Sequence, residues 1–342
     1  MRIVHVVQSP AFAGVERHVI QLASAQAARG HEVLVIGGDP AQMRAQASGL
    51  VEHRRAVKLG ETLRAVRSAL RPRPDVVHAH MTVAETVSAI AMLDTGIPLV
   101  ATRHFARPRG RHAVAAWATS MAARRISEQI AISQYVADRV EGRSIVIHPG
   151  VAAQPDAMPA RRRDTTALVV QRLEAEKSTD DALRIFAASG LARDGWRLEV
   201  AGAGSQLEAL RGLAAELGIG GSTAFLGHRT DVAELMRRSS VLIAPCLVEG
   251  LGLTVLEAMA AGLPVVAAAA GGHLETLDDL QGTMLYPASP RGLGDAAEAL
   301  RGLATDECLR EEAARVLQAS QRSRFALARQ AELTEAVYRG LL

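Results

Sequence analysis

Two glutamates, an arginine and a lysine carry the chemistry most readily drawn from this sequence. The stretch V-L-I-A-P-C-L-V-E-G-L-G-L-T-V-L-E-A-M-A-A-G-L-P-V-V-A, residues 241–267, reads as strand, short loop, helix, turn and strand. Gly250 and Gly252 stand where the loop feeds the helix, so backbone there can approach a ligand closely. Leu251, Leu253 and Thr254 complete that helix start. Its unpaired N–H groups favour an anion such as a diphosphate, by ~0.3–1 kcal/mol from the dipole alone. Glu249 lies in the loop and Glu257 about one and a half turns into the helix. Helical side chains lean toward the N-terminus, so Glu257 points back to the same ligand. One carboxylate can then bind a sugar's hydroxyls while the other takes a ribose diol. Two solvated glutamates flanking an ordinary strand-to-helix loop account for the same letters.

Upstream, V-V-Q-R-L-E-A-E-K-S offers Arg172 and Lys177. Fixed cations at such a place would stabilise a leaving diphosphate without reorganising. A solvated turn shared with Glu174 and Glu176 is the plainer account. Lys58 and Lys177 are the only lysines in the chain and asparagine is absent, a bias that points to a GC-rich bacterial gene. In that background a lysine stands out. The run R-L-E-V-A-G-A-G-S-Q-L holds Gly202 and Gly204, but Leu207 stands at the third position of a dinucleotide fingerprint, which argues against NAD.

Three histidines stand at strand ends: His78 and His80 in D-V-V-H-A-H, and His104 just after the strand in V-A-T-R-H-F. The alternation of the first two suggests a metal pair, but no third ligand is in view, and a hydrogen-bonded structural role is the better reading. No D-x-D triplet occurs, so a metal held by such a carboxylate pair has no support. Residues 103–125 carry six arginines and no acid. That segment could hold an anionic acceptor, rest on an anionic membrane face, or be a solvated helix end. Aromatics are not interleaved with its charges, which speaks against nucleic acid.

The elements that must position these groups are legible as an alternation of short β-rich runs and longer helices, the pattern of parallel sheets. Strands are expected near 2–7, 32–36, 75–79, 98–102, 129–132 and 144–147, with helices at 15–29 and 82–94. A second series runs near 167–171, 197–201, 222–226, 240–244, 264–268 and 283–286, followed by a wholly helical tail over 289–342. Three prolines, a glycine and an Arg run over 148–164 break the pattern between the two. The expected architecture is α/β with two Rossmann-like domains: 1–152 with a returning helix 323–342, a linker at 153–164, and a ligand-binding domain at 165–322. Two such sheets facing one another would present the carboxyl ends of both at one cleft.

The totals agree with that architecture. At 342 residues two domains are the natural prior. Aromatics make up only 3% of a 49% apolar composition, so Ala, Val, Leu and Ile must build the core. Cys246 and Cys308 form neither a disulfide framework nor a metal cluster. M-R-I-V-H-V-V-Q reads as a first strand and not as a signal peptide, and no apolar run is long enough to span a membrane, so a cytoplasmic protein is expected.

These motifs together resemble the retaining glycosyltransferases of family four, which have the GT-B fold. The resemblance implies that Glu249 contacts the transferred sugar and Glu257 the nucleotide ribose, as in the family's Glu-seven-residues-Glu motif. V-V-Q-R-L-E-A-E-K-S is similar to the family's G-R-L-x-x-x-K-G element, which assigns Arg172 and Lys177 to the donor diphosphate. Gln171 and Ser178 replace its two glycines, and Cys246 and Leu251 replace a usual serine and aromatic. F-L-G-H-R-T-D resembles the base-binding loop, with Gly227, His228 and Arg229 at the nucleobase. A-G-V-E resembles the G-G-x-E loop, with Gly14 at the donor phosphates and Ala13 in place of the first glycine. His104 matches the family histidine that meets the donor sugar, and the last helix matches the one that returns to the first domain.

The function implied is metal-independent hexosyl transfer from a nucleotide sugar, UDP-linked in preference to GDP-linked, to a hydroxyl of a natural product, lipid or glycan. No cofactor is expected beyond the donor. A UDP-sugar epimerase and a non-catalytic sugar-nucleotide-binding protein are the rival readings.

Overall fold

The computed structural model describes residues 1–10, 12–47, 49–109, 119–278, 280 and 284–342. The chain forms two compact units, Met1–Gly150 together with Leu327–Leu342, and Val151–Ala326.

The first unit is a parallel sheet of β1 (Arg2–Val7), β2 (Glu32–Gly37), β3 (Val51–Arg54), β4 (Val76–His80), β5 (Leu99–Arg103), β6 (Glu128–Ala131) and β7 (Ile145–Val146). They lie in the order β3-β2-β1-β4-β5-β6-β7. Period-two alternation sorts each strand between two cores. Ile3 and Val7 of β1 join Val19, Ile20 and Ala23 of α1 (Gly14–Ala28) and Tyr338 of the final helix Leu327–Arg339. Val4 and Val6 face the other way, with Val66, Val77, Ala79 and Ala84. His5 falls between Ile3 and Val7, so it points toward α1 and the final helix.

The second unit is a parallel sheet of β8 (Thr166–Val170), β9 (Arg197–Ala201), β10 (Thr223–Gly227), β11 (Val241–Ala244), β12 (Val265–Ala268) and β13 (Met284–Tyr286), in the order β10-β9-β8-β11-β12-β13. Strand order reverses between β8 and β11, so the crevice beyond their carboxyl ends is the place where such sheets take ligands. Arg172 and Lys177 follow β8 and Glu249 follows β11. Small and aliphatic side chains fill this core, with Phe186 and Trp196 among few aromatics, as the composition requires.

The expected strands are present in both series, each displaced by no more than a residue or two. β3 is an addition: V-E-H-R has a single apolar residue, enough for an edge strand but too little to signal one. The tail is three helices, Pro290–Thr305, Glu307–Arg324 and Leu327–Arg339. Between the first two, the Asp306 side chain accepts from the Leu309 amide at 2.9 Å. After residue 150, buried Arg163 fastens the Pro-rich segment by donating to the carbonyls of Met158, Met236, Ser239, Ala261 and Gly262.

Candidate active site

β8 ends in a loop whose shape is set by Gln171. Its amide nitrogen donates to the Lys177 carbonyl and to the Thr179 hydroxyl, both at 2.9 Å. Lys177 closes a short 3-10 turn, Ala175–Lys177, and Ser178 then takes a left-handed conformation at φ 52°. A serine therefore occupies a backbone geometry that favours glycine, and the turn keeps its form despite the substitution. Gly202 and Gly204 serve the same loop by packing. A Cβ at either would lie 1.8 Å from the Gln171 carbonyl oxygen or 2.2 Å from that of Leu173. Their role is close approach of two loops of one chain, which accounts for the incomplete fingerprint.

The loop after β11 meets this turn. Lys177 Nζ lies 2.6 Å from Glu249 Oε2, with side chains 18% and 26% exposed. Burial works against both charges, yet each sustains the other: Lys177 stays above its ordinary value and the Glu249 carboxyl stays below its own. The buried Cys246 thiol donates to the Glu176 carbonyl at 3.5 Å, tying the loops together from below. Burial pushes that thiol up, with Lys177 opposing, so it remains a thiol.

Gly252, at φ 96°, turns the chain into the helix Leu253–Ala260. Thr254 anchors the helix start by donating from its hydroxyl to the Val170 carbonyl at 3.2 Å. Glu257 is half-buried on this helix, and Gly250, Leu251 and Leu253 complete the turn. Arg172 is exposed and pairs with Glu176 at 2.9 Å, not with Glu249. The structure thus brings Lys177, Glu249 and the helix start together and leaves Arg172 on the rim.

Sequence reasoning missed the Gly271–Gly272 turn and His273. The Gly272 amide donates to the Glu249 carbonyl at 2.9 Å. A Cβ at Gly271 would sit 2.4 Å from that same oxygen, so the diglycine is the cradle of the Glu249 loop. His273 is buried beside it, donating from Nδ1 to the Ala268 carbonyl at 3.1 Å. Burial lowers this histidine, with Glu249 opposing. The A-A-G-G-H run after β12 was the available signal.

Gly227, at φ 67°, ends β10, and the exposed His228 and Arg229 follow. Arg229 makes a two-point contact with Asp231, Nε to Oδ1 at 2.8 Å and Nη2 to Oδ2 at 2.6 Å. The Asp231 side chain is thereby turned to Arg229, and neither it nor Thr230 caps the following helix. In the first unit, Gly14 opens α1, and Glu16 accepts from the Ala13 amide at 2.8 Å. Glu16 is buried and serves as a helix cap.

The histidines form a network that sequence alone did not assemble. His5 of β1, His78 and His80 of β4, His104 after β5 and His18 of α1 are all buried. Besides His78, His80 has three further imidazoles beside it, those of His5, His18 and His104, which corrects the expectation that no further ligand was in reach. Burial lowers His5 to about 4 and His18 to about 3, and holds His78, His80 and His104 well below the ordinary histidine value. All five are neutral.

The basic segment 103–125 is partly internal. Buried Arg109 donates to Glu85 at 2.6 Å, Arg103 donates to Glu141 at 3.1 Å, and Arg125 donates to the carbonyls of Thr95 and Ile97 at 3.1 Å. Arg107 and Arg124 are exposed, while Arg111 lies outside the described residues. The membrane-facing reading thus retains fewer free charges than the sequence offered. Among the described residues no helix is long and apolar enough to cross a membrane.

Comparison with known proteins supplies the family. Residues 12–154 match the family model "Glycosyltransferase Family 4", and residues 153–321 match "Glycosyl transferases group 1". The chain is 28% identical over 380 residues to a glycogen synthase of Mycobacterium tuberculosis, covering 95% of this chain and 90% of that protein. It is 33% identical over 270 residues to a D-inositol 3-phosphate glycosyltransferase of Geodermatophilus obscurus, covering 67% and 59% of the two chains. Among solved structures, HepE of Anabaena in complex with UDP and glucose matches 99% of both chains with a TM-score of 0.80 at 20% identity. The fold is GT-B.

Proposed function

This chain is a glycosyltransferase of the GT-B fold, related to family four, and we propose that it moves a hexose from a UDP-sugar to an acceptor hydroxyl with retention of configuration. The observation that carries the proposal is the Lys177–Glu249 contact at the start of the helix that bears Glu257. A lysine held charged beside that helix start supplies fixed positive charge where a departing diphosphate accumulates negative charge. Glu249 positions the sugar, and binding of a donor exchanges part of its contact with Lys177 for contacts to the ligand. Glu257 takes the ribose diol, Gly227 to Arg229 the base, and Gly14 the phosphates, while His104 contacts the transferred sugar. Arg172 swings from Glu176 to the diphosphate. In the same-face reaction the leaving diphosphate helps to take the acceptor proton, so Glu249 is no covalent nucleophile. The nucleotide complexes of HepE support UDP as the base-bearing half of the donor.

Thermal stabilisation by a panel of nucleoside diphosphates and their sugars, with and without magnesium, tests this reading. A ligand at 100 times its dissociation constant adds ~2.7 kcal/mol. The expected result is a magnesium-independent rise with uridine ligands that Glu257→Ala abolishes. A rise with no nucleotide at all would sink the proposal. An isomeric sugar nucleotide formed without any acceptor would mark an epimerase instead.

A further inference from the structure

The buried histidines form a chain with a direction. In parallel β1, β4 and β5, His5 lies opposite His78 and His80 opposite Thr102. Side chains two residues apart share a face, so His5, His78, His80, Thr102 and His104 all project toward α1 and the final helix. The chain begins at Gln26 of α1, whose amide oxygen lies 2.7 Å from His5 Nε2. With the Gln26 amide turned so that its oxygen faces the ring, that oxygen accepts and His5 carries its proton on Nε2. A neutral imidazole has one proton, which leaves His5 Nδ1 bare. His80 Nε2 lies 3.0 Å from that nitrogen and must donate to it. His80 Nδ1 is then bare, and His104 Nε2, 3.2 Å away, must donate in turn. Each ring's tautomer thus dictates the next.

We propose that Gln26, His5 and His80 are positioning residues that lock His104 in its Nε2–H tautomer, so that its outer nitrogen, Nδ1, is a dedicated acceptor for a hydroxyl of the bound sugar. His104 keeps 7% of its surface exposed, whereas His5 and His80 keep none. Nothing among the described residues hydrogen-bonds to its Nδ1. The sugar half of this inference rests on the function proposed above, but the tautomers do not.

The same accounting sets metal binding aside. His5, His78 and His80, and likewise His18, His80 and His104, offer nitrogens within 4.8 Å of one another. A metal needs converging lone pairs. Here the bare nitrogens of His5 and His80 already accept N–H groups. His18 is turned the wrong way: the Gln330 oxygen accepts from the Gly150 amide at 2.8 Å, so its nitrogen donates to His18 Nε2 at 3.3 Å. His18 therefore bears its proton on Nδ1, which has no partner among the described residues. That nitrogen is a donor and no ligand.

Long-range proton–nitrogen NMR on full-length protein labelled at histidine nitrogen reads each tautomer directly at neutral pH. The expected spectrum has His5, His80 and His104 all as Nε2–H forms. A His104 protonated on Nδ1 overturns the proposal, as does stoichiometric zinc uptake that His80→Leu abolishes. His80→Leu should release His104 into a mixture of tautomers and lower kcat/KM about tenfold, the worth of one hydrogen bond. His80→Asn, whose side-chain oxygen can still accept from His104, should restore both. If His80→Leu fails to fold, the wild-type spectrum and the Asn variant still decide. Adding UDP-glucose should shift His104 Nδ1 where UDP alone does not, and a bound sugar that leaves Nδ1 unmoved overturns the sugar contact. Absence of any nucleotide-sugar binding would tell against the transferase reading, a distinguishable result because the tautomers are read on the free protein.

Discussion

The histidine network of the first unit and the Lys177–Glu249 pair of the second meet the same physical problem, ionisable side chains withdrawn from water, and solve it in opposite ways. In the first, burial strips five histidines of charge and hydrogen bonds pass from ring to ring. In the second, Lys177 and Glu249 stay charged because each is the other's counter-ion. Neutral groups can be satisfied by neighbours of their own kind, whereas a buried charge needs an opposite one or, as at Arg163, a cluster of carbonyl oxygens. The first arrangement suits a fixed acceptor of hydrogen bonds and the second a fixed electric field. Each unit is therefore vulnerable to a different perturbation.

Acid should break the histidine side hardest. An unfolded histidine binds a proton below about pH 6.5, while folded His5 resists until about 4 and His18 until about 3. The unfolded state then holds more protons, so stability falls as pH drops from about 6.5 toward 4. His5 alone would contribute roughly 3 kcal/mol of that loss. Urea midpoints should decline steeply across this window, and a flat profile from pH 7 to 5 would refute the neutral network. Lys177→Ala should break the other side, lowering turnover by ~10²–10³, the ~2.7–4 kcal/mol of one lost electrostatic contact. A double-mutant cycle with Glu249→Gln sharpens this: if stability falls as far as activity, the pair is structural only. Tyr338→Phe removes the hydroxyl 2.5 Å from His78 Nδ1 and should cost ~1–3 kcal/mol in denaturation, with turnover per folded molecule unchanged. The smallest effect is expected at Ser178. Ser178→Gly relieves a left-handed serine and should add no more than about 1 kcal/mol, because the glycine loses more chain entropy on folding. A lower melting temperature would mean that the serine side chain holds the loop.

Much of the fold was readable because its strands are continuous apolar runs, such as R-I-V-H-V-V and T-A-L-V-V, bounded by polar turns. β3 escaped because V-E-H-R sits at the sheet edge, where one buried valine suffices. At the candidate site, the helix start and its glycines were visible as local chemistry. The Lys177–Glu249 contact was not, since it joins residues 72 apart and depends on β8 lying next to β11. The histidine network was hidden for the same reason. H-A-H announces two rings on one face, but only strand order reveals that β1 and β5 place His5 and His104 beside them. Gly202 and Gly204 show the reverse case, a ligand-like pattern already set aside for its missing third glycine and used in the structure for loop packing.

The helix Leu327–Arg339 has a consequence for how the protein is made. Its Tyr338 bonds His78 from 260 residues away, its Gln330 holds both Gly150 and His18, and its Glu335 pairs with Arg29 at 2.7 Å and His31 at 3.3 Å. A ribosome delivers the strands of the first sheet early, yet one face of that sheet lacks its cover until residues beyond 326 have emerged. By that moment the whole of Val151–Ala326 is available and can already have closed. Synthesis would normally let the leading domain fold first. Here the part begun first is completed last, and throughout translation the uncovered histidine face is the surface a chaperone would have to shield.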